Sequence, residues 1–170
     1  MKNIVVIGMP GGGKTTISKR IAKQLERPFI DVDEYIVETY QMTIPEMFAI
    51  SEEYFRERET ICCKKIAKNE GYIISTGGGI IKNPENIKAL KETGIVIYLD
   101  RPVENILDDV EVANRPLLKS GPQALYDLYQ QRHEKYLMYC YIHIINNYKI
   151  KKVTKQIIDK LNEHNSSNQY

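Results

Sequence analysis

The sequence has no tryptophan, only three cysteines and almost no excess of charge. Those cysteines, Cys62, Cys63 and Cys140, form no C-x-x-C pair, so neither a disulfide framework nor a zinc site is expected. Packing of Cys62 and Cys63 is favoured over a redox role. A net charge of +2 is too small to predict a nucleic-acid partner or an anionic membrane as a partner. Reduced thiols in the cytoplasm are therefore the default expectation.

Long hydrophobic runs are also missing. No stretch approaches the roughly 20 apolar residues that cross a membrane. The first apolar run, Ile4 to Ile7, leads directly into a glycine-rich loop, so a signal peptide is not expected. With 170 residues, 42% hydrophobic and 27% charged, the chain has the composition of one globular domain. We expect a single domain over 1–170, with its core over 1–162 and a polar tail over 163–170.

The most informative stretch present is the glycine-rich run from Gly8 to Thr15, which fits G-x-x-x-x-G-K-[ST] and is called the P-loop below. A predicted strand precedes it and a predicted helix follows it, which is the order that a phosphate-binding loop needs. Lys14 can reach the β- and γ-phosphates of a nucleotide, and the Thr15 hydroxyl is placed to bind Mg²⁺. The sequence therefore predicts binding of a nucleoside triphosphate.

Beyond the P-loop, strand patterns alternate with helical ones. Strands are predicted at 4–7, 28–30, 72–75, 95–100 and 141–145. This alternation predicts a three-layer α/β/α fold around a five-stranded parallel sheet. Ligands of such folds lie beyond the carboxyl ends of the strands. The residues predicted to meet at that edge are Gly8–Thr15, Asp31–Asp33, Ser75–Gly79 and Asp100.

Two acidic residues, Asp31 and Asp33, follow the second predicted strand. Carboxylates beside a phosphate loop suit metal binding together with hydroxyl recognition or base catalysis. The alternative is a surface turn or a helix cap, with Asp33 as the candidate cap. The nearby P-loop favours the functional interpretation. Asp100 ends a longer apolar strand and is a rival carboxylate for the metal.

Two further motifs lie between these strands. Arg56 and Glu59 are three residues apart on a predicted helix, so a glutamate can hold an arginine fork for carboxylate recognition. A solvated, salt-bridged face is the alternative. The loop Thr76–Gly79 contains three consecutive glycines, which are costly to order and favour close contact between the backbone and a ligand.

The longest irregular segment predicts a mobile lid over about 111–122. It contains Arg115, and phosphoryl transfer benefits from an arginine that arrives when a lid closes. The role of Arg132, on the following predicted helix, cannot be assigned from its spacing alone. His133 and His143 are expected to be structural.

With these residues assembled, the chain resembles the shikimate kinases, small-molecule kinases of the nucleoside-monophosphate-kinase-like group. The resemblance extends over roughly 3–161. It implies phosphoryl transfer from ATP to shikimate with Mg²⁺, a sheet order of 2-3-1-4-5 and a monomer. The motifs that carry it are the P-loop, Asp31-x-Asp33, Phe55-Arg56-x-x-Glu59, Gly77-Gly78-Gly79, Arg115-Pro116-Leu117-Leu118 and Arg132 with Tyr136.

The resemblance also implies a role for each matching residue. Thr15 would bind Mg²⁺ directly and Asp31 would bind it through water, while Asp33 would hold and deprotonate or orient the attacking hydroxyl. The implied catalytic residues are Lys14, Asp33 and Arg115. The implied ATP-binding residues are Gly11, Gly12, Gly13, Lys14, Thr15, Thr16 and Arg115. The implied substrate-binding residues are Asp33, Arg56, Gly77, Gly78, Gly79 and Arg132, the two arginines holding the shikimate carboxylate.

The chain departs from the family pattern at one place. The helix before the lid usually carries a basic residue that packs on adenine, whereas the corresponding region here includes Asp108 and Asp109. Lys149, from the loop after the fifth strand, is then a candidate to approach the base. This departure is the only support for a different class of function, a nucleotide-dependent binding or regulatory module without transfer activity.

A second alternative is a kinase for another metabolite on the same scaffold, such as a gluconate-like or a nucleotide kinase. Shikimate is favoured over these acceptors because two separate arginines suit a carboxylate and Asp33 suits a polyol. The presence of the complete set of donor and acceptor residues argues against a non-catalytic module.

Overall fold

The chain folds around a parallel sheet. A computed structural model describes residues 1–113, 121–147 and 149–167. The sheet order is β2-β3-β1-β4-β5, and each neighbouring pair is parallel. The strands are β1 (Asn3–Ile7), β2 (Phe29–Asp31), β3 (Ile73–Ser75), β4 (Gly94–Asp100) and β5 (Ile142–Ile145). The predicted order 2-3-1-4-5 is therefore confirmed.

Helices cover both faces of this sheet. They are α1 (Lys14–Gln24), α2 (Val32–Tyr40), α3 (Ile44–Ile50), α4 (Glu52–Ile66), α5 (Pro84–Thr93), α6 (Val103–Ala113), α7 (Pro122–Tyr139) and α8 (Ile150–Ser167), with a 3₁₀ turn at Ile80–Lys82. Alternate residues of β1 enter two separate hydrophobic clusters, Val5 and Ile7 in one and Ile4 and Val6 in the other. Side chains alternate across a strand, so the two clusters lie on opposite faces of the sheet. The predicted three-layer α/β/α architecture is confirmed.

Side-chain caps define where several helices begin. Thr43, Ser51 and Asn83 each accept a hydrogen bond from a backbone N–H in the first turn of the helix that follows. Asp31 does the same for α2, accepting from the Glu34 N–H at 3.1 Å. Asp33, the cap candidate from the sequence, instead lies inside the first turn of α2. The cap prediction was wrong at this position because the strand ends directly at the helix, with no intervening turn.

Two helix ends are set by local hydrogen bonds. Helix α4 ends at Ile66, because the next residues form a tighter turn closed by bonds such as Asn69 N–H to Ile66 C=O. The last helix continues through Ser167, into the segment predicted as a polar tail. Its final turn exposes polar side chains, and Ser166 and Ser167 hydrogen-bond to carbonyls four residues earlier.

Part of the predicted lid over 111–122, including Arg115, lies outside the described residues, and so does the end of the tail at 168–170. The lid and the domain limits therefore stay predictions. In the part of the chain that is described, no helix has both the length and the apolar character needed to span a bilayer.

We predict that Asn3→Ala destabilises the fold. Asn3 is fully buried, its amide donates to the Asn69 carbonyl at 2.7 Å, and its Oδ1 accepts from the Tyr72 N–H at 2.9 Å. The change removes both bonds from a buried side chain and leaves partly buried backbone groups of Asn69 and Tyr72 without these partners, so the free energy of unfolding should fall by about 2 kcal/mol. Urea denaturation measures this loss, with Asn165→Ala on the exposed side of α8 as the control. A loss equal to that of the control would contradict the argument.

Candidate active site

The P-loop connects β1 to α1 and is held by side chains from two other strand ends. The Gly11 carbonyl accepts a hydrogen bond from Arg101 at 2.9 Å, and the Gly12 carbonyl accepts one from the Asn146 amide at 2.9 Å. Gly13 has a φ of 83°, in the left-handed region that favours glycine, and it directly precedes α1. The loop conformation is thus fixed before any phosphate binds, with the positive end of α1 at the loop.

Lys14 is the buried cation of the site. Its ammonium donates to the Gly8 carbonyl at 2.9 Å and to the Met9 carbonyl at 2.7 Å. Burial lowers the pKa of Lys14 to about 8, while the charges of Asp33 and Asp31 oppose that shift. A bound phosphate group would place a negative charge beside this ammonium, which its two neutral carbonyl partners do not provide.

An oxygen cluster lies beside the P-loop. The Thr15 hydroxyl donates to Asp31 Oδ2 at 3.0 Å and lies 3.4 Å from the Ser75 hydroxyl. Hydroxyl and carboxylate oxygens are the ligands that Mg²⁺ prefers, completed by waters and substrate phosphates. No group of three or more His, Cys, Asp or Glu side chains within the described ranges could hold a metal ion by itself. The donor set fits a magnesium ion shared with a nucleotide.

Asp33 lies in the first turn of α2 with one carboxylate oxygen unsatisfied. Its Oδ1 is buried and has no hydrogen-bond partner among the residues that the structure describes. Burial, and secondly the charge of Asp31, raises the pKa of Asp33, against the opposing charges of Lys14 and Arg56. Asp33, Lys14 and Thr15 line one cavity of about 410 Å³. A buried carboxylate oxygen without a partner is placed to accept a hydrogen bond from a ligand.

Arg56 forms the other wall of this region. Its guanidinium donates to Glu59 at 2.9 Å, and it lies over the rings of Phe55 and Phe48, at 5.1 Å and 5.8 Å from their centroids. The Glu59 side chain is only 1% exposed. Burial raises the pKa of this carboxyl, and Arg56 opposes the shift. The interpretation as a solvated, salt-bridged face is therefore wrong, because the glutamate is in the interior and orients the arginine.

The three glycines at 77–79 pack closely against three parts of the site. A Cβ at Gly77 would lie 3.0 Å from the Asp33 carboxylate, one at Gly78 would lie 2.6 Å from Pro10, and one at Gly79 would overlap the Arg56 guanidinium. None of the three has a left-handed φ. The loop therefore contacts the catalytic carboxylate candidate, the P-loop and the arginine wall with its bare backbone.

Helix α7 adds Arg132 and Tyr136 to the same region. The Tyr136 hydroxyl donates to the Gly78 carbonyl at 2.6 Å. Burial raises the pKa of Tyr136 to about 12, and the charge of Arg132 opposes this. Arg132 also acts electrostatically on Lys14 and Glu59. The structure thus places Arg132 near Lys14 and Glu59, whereas Arg115 lies outside the described residues.

Asp100, the rival metal carboxylate, is engaged elsewhere. It accepts hydrogen bonds from the Tyr129 hydroxyl at 3.0 Å and lies 2.8 Å from His143 Nε2. His133 lies in the same network, 2.9 Å from the Tyr98 hydroxyl. These contacts belong to the packing of β4, β5 and α7. The expectation that His133 and His143 are structural agrees with their positions.

Two residues of the site were missed by the sequence argument. Arg101 and Asn146 hold the P-loop carbonyls, and each directly follows the last residue of a strand, β4 or β5. The rule that ligand-binding groups lie at the carboxyl ends of strands could have identified both. No motif marked them.

Comparison with known proteins decides the family. The family model described as shikimate kinase matches residues 10–162. A shikimate kinase of Clostridium botulinum (strain Alaska E43 / Type E3) is 44% identical over 158 residues, which cover 92% of this chain and 96% of that protein. The chain belongs to the shikimate kinase family.

Other relatives agree. A shikimate kinase of Clostridium beijerinckii is 43% identical over 167 residues, covering 95% of this chain and 98% of that protein. The structure of shikimate kinase from Acinetobacter baumannii in complex with shikimate has a TM-score of 0.86 at 34% identity, covering 99% of this chain and 95% of that one. The predicted family is confirmed, and with it the predicted enzyme class, a kinase that uses ATP with Mg²⁺.

We predict that nucleotide binding weakens as the pH rises above about 8. The pKa of Lys14 in the free protein is lowered to about 8, so the ammonium that attracts phosphates is lost above that pH. A one-proton linkage gives a loss of up to about tenfold in affinity per pH unit. Calorimetric titration with ADP between pH 7 and pH 9.5 measures it, and Lys14→Met should abolish the dependence. An affinity that stays constant to pH 9.5 would show that Lys14 does not titrate there.

Proposed function

We propose that the cavity shared by Lys14, Thr15 and Asp33 transfers the γ-phosphoryl group of ATP to the 3-hydroxyl of shikimate, giving shikimate 3-phosphate and ADP. This reaction belongs to the route to chorismate and the aromatic amino acids. The observation that carries the proposal is the carboxylate of Asp33, which has one buried oxygen without a partner, on a residue that lines the same cavity as Lys14 and feels the charge of Arg56. It supports a proton acceptor beside the P-loop.

The donor half is the P-loop with the start of α1. We assign Gly11, Gly12, Gly13, Lys14, Thr15 and Thr16 to the phosphates of ATP. Thr15 is assigned to Mg²⁺ directly and Asp31 to Mg²⁺ through water, which their mutual contact at 3.0 Å supports. When bound, the metal neutralises part of the charge on the phosphates.

The acceptor half consists of α2, α4, the 77–79 loop and α7. Arg56 and Arg132 are assigned to the shikimate carboxylate. Arg56 hydrogen-bonds to Glu59, and the charges of both arginines act on the Glu59 carboxyl. Arginine suits a carboxylate because its planar fork donates two parallel hydrogen bonds. The backbone of the loop 77–79 is assigned to contact with the substrate. Its close packing against Asp33, Pro10 and Arg56 supports this assignment.

In the reaction, the 3-hydroxyl oxygen attacks the γ-phosphorus while the bond from that phosphorus to the ADP oxygen breaks. Asp33 accepts the hydroxyl proton, and its raised pKa makes it a stronger base than an ordinary aspartate. Lys14 stabilises the charge on the transferring group. Arg115 is assigned to the same charge, and this role stays a prediction because the residue is not among those described.

We further propose that the chain acts as a monomer in the cytoplasm, with 111–122 as a lid and the helices over 33–62 as its substrate-binding part. The helices α2, α3 and α4 span that range, and they carry Asp33 and Arg56. These assignments follow the family expectation and stay predictions.

The acceptor is tested by an assay of ADP release with the purified chain. Shikimate, gluconate and nucleoside monophosphates are compared at equal concentration with ATP and Mg²⁺ in excess. We expect release to depend on shikimate, because the site pairs two arginines with a buried carboxylate. Stimulation by gluconate or by a nucleoside monophosphate, and not by shikimate, would overturn the assignment.

We predict that Asp33→Asn lowers kcat by at least about 100-fold, since an amide of the same shape accepts no proton. Binding of ADP at pH 6.5, well below the pKa of Lys14, should be largely retained, because Asp33 does not hydrogen-bond to the P-loop and acts on it through the charge of Lys14. The coupled ADP assay and calorimetry measure the two quantities on the same preparation. Turnover near that of the unaltered chain would remove Asp33 from the proton transfer.

A further inference from the structure

A second cavity adjoins the phosphate cavity on the α6 and β5 side of the P-loop. It has a volume of about 220 Å³, and its lining includes Gly13, Thr16, Arg101, Asn105, Asp109 and Asn147. Gly13, Thr16, Arg101 and Asp109 also line the phosphate cavity, whereas Asp33 and Gly78 line that cavity alone. A nucleotide whose phosphates occupy the P-loop, with its γ-phosphate directed toward Asp33, therefore has its ribose and base directed into the second cavity.

Arg101 lies where the two cavities meet, and it is fixed at two points. One end of its guanidinium donates to the Gly11 carbonyl at 2.9 Å, and the other pairs with the Asp109 carboxylate at 2.5 Å. The Arg101 side chain is 19% exposed, whereas that of Asp109 is 61% exposed. Both terminal nitrogens of the Arg101 guanidinium are thus engaged. A ligand would therefore contact the flat face of this group.

The helix α6 provides the anion of this pair and not a cation. Asp109 is the acidic partner on that helix, and Arg101, directly after the end of β4, is the basic partner. Among the described residues that line either cavity, Arg101 is the only arginine. The candidate Lys149 does not line the second cavity, and its carbonyl accepts backbone bonds from the first turn of α8.

We propose that Arg101, positioned by Asp109, is the residue on which the nucleobase of the donor nucleotide packs. This inference rests on the proposed function in so far as the donor is ATP. A guanidinium face attracts the π-system of a purine, and such a contact is worth about tenfold in affinity when it is partly desolvated. Asp109 is a positioning residue, since it acts by holding the plane of Arg101 across the mouth of the second cavity.

The proposal is tested by binding alone, with ADP and pyrophosphate as the two probes. Pyrophosphate reports on the P-loop, and ADP reports on the P-loop together with the base. We expect Arg101→Ala to raise the Kd of ADP about tenfold and the Kd of pyrophosphate by less than about threefold. The matched control is Arg20→Ala, an arginine on the exposed side of α1, which should leave both constants unchanged.

Asp109→Asn separates positioning from contact. It keeps the guanidinium and removes the anion that orients it, so ADP affinity should fall by less than in Arg101→Ala. The double variant should bind ADP no more weakly than Arg101→Ala, because Asp109 acts through Arg101. Additive losses in the double variant would overturn the positioning role.

Two other results would overturn the contact itself. An equal loss for pyrophosphate and ADP would show that Arg101 only supports the P-loop, and an unchanged Kd of ADP would show that the base packs elsewhere. Neither result depends on turnover. Failure of the proposed function would appear separately, as absence of shikimate-dependent ADP release by the unaltered chain.

Discussion

The site depends on one buried ammonium group, that of Lys14. Its two hydrogen bonds go to the carbonyls of Gly8 and Met9, which are neutral acceptors and do not compensate a full charge. Burial accordingly lowers its pKa to about 8, and the carboxylates of Asp31 and Asp33 oppose that shift. Lys14 in turn acts on Asp33: burial raises the pKa of that carboxyl, and the charge of Lys14 opposes the rise. Cation and base thus set each other's proton affinity before a nucleotide or an acceptor is present.

Glu59 and Arg56 form a second pair of opposite charges, on the proposed acceptor side of the site. Glu59 is almost fully enclosed, and one of its oxygens bonds to Arg56 while the other has no partner among the described residues. A buried pair of this kind is weak evidence for stability, because desolvation offsets much of the attraction. Its value lies in orientation, since the arginine is held over two aromatic rings. In the proposed function, the first pair lies on the phosphate side of the site and the second on the carboxylate side.

The parts of this arrangement that follow regular spacing could be predicted from the sequence. The P-loop, the alternation of strands and helices, and the position of Asp31 and Asp33 at a strand end all obey short-range rules, and the sheet order came from family resemblance. Single residues that act across the fold could not be found this way. Arg101 and Asn146 form long-range contacts with the P-loop, and Glu59 resembles a surface charge until its burial is known. Asp31 caps α2 and Asp33 lies inside it because the helix begins directly at the end of β2, and periodicity does not resolve an element boundary to one residue.

The tripeptide Gly77-Gly78-Gly79 touches both halves of the site with its backbone, and the Gly78 carbonyl is tied to Tyr136 on α7. A side chain at any of the three positions would press on a different part of the site: at Gly77 on the Asp33 carboxylate, at Gly78 on Pro10 of the P-loop, and at Gly79 on the Arg56 guanidinium. One short loop therefore couples the positions of these three parts, so that a substitution within it disturbs the relation between them and not one of them alone.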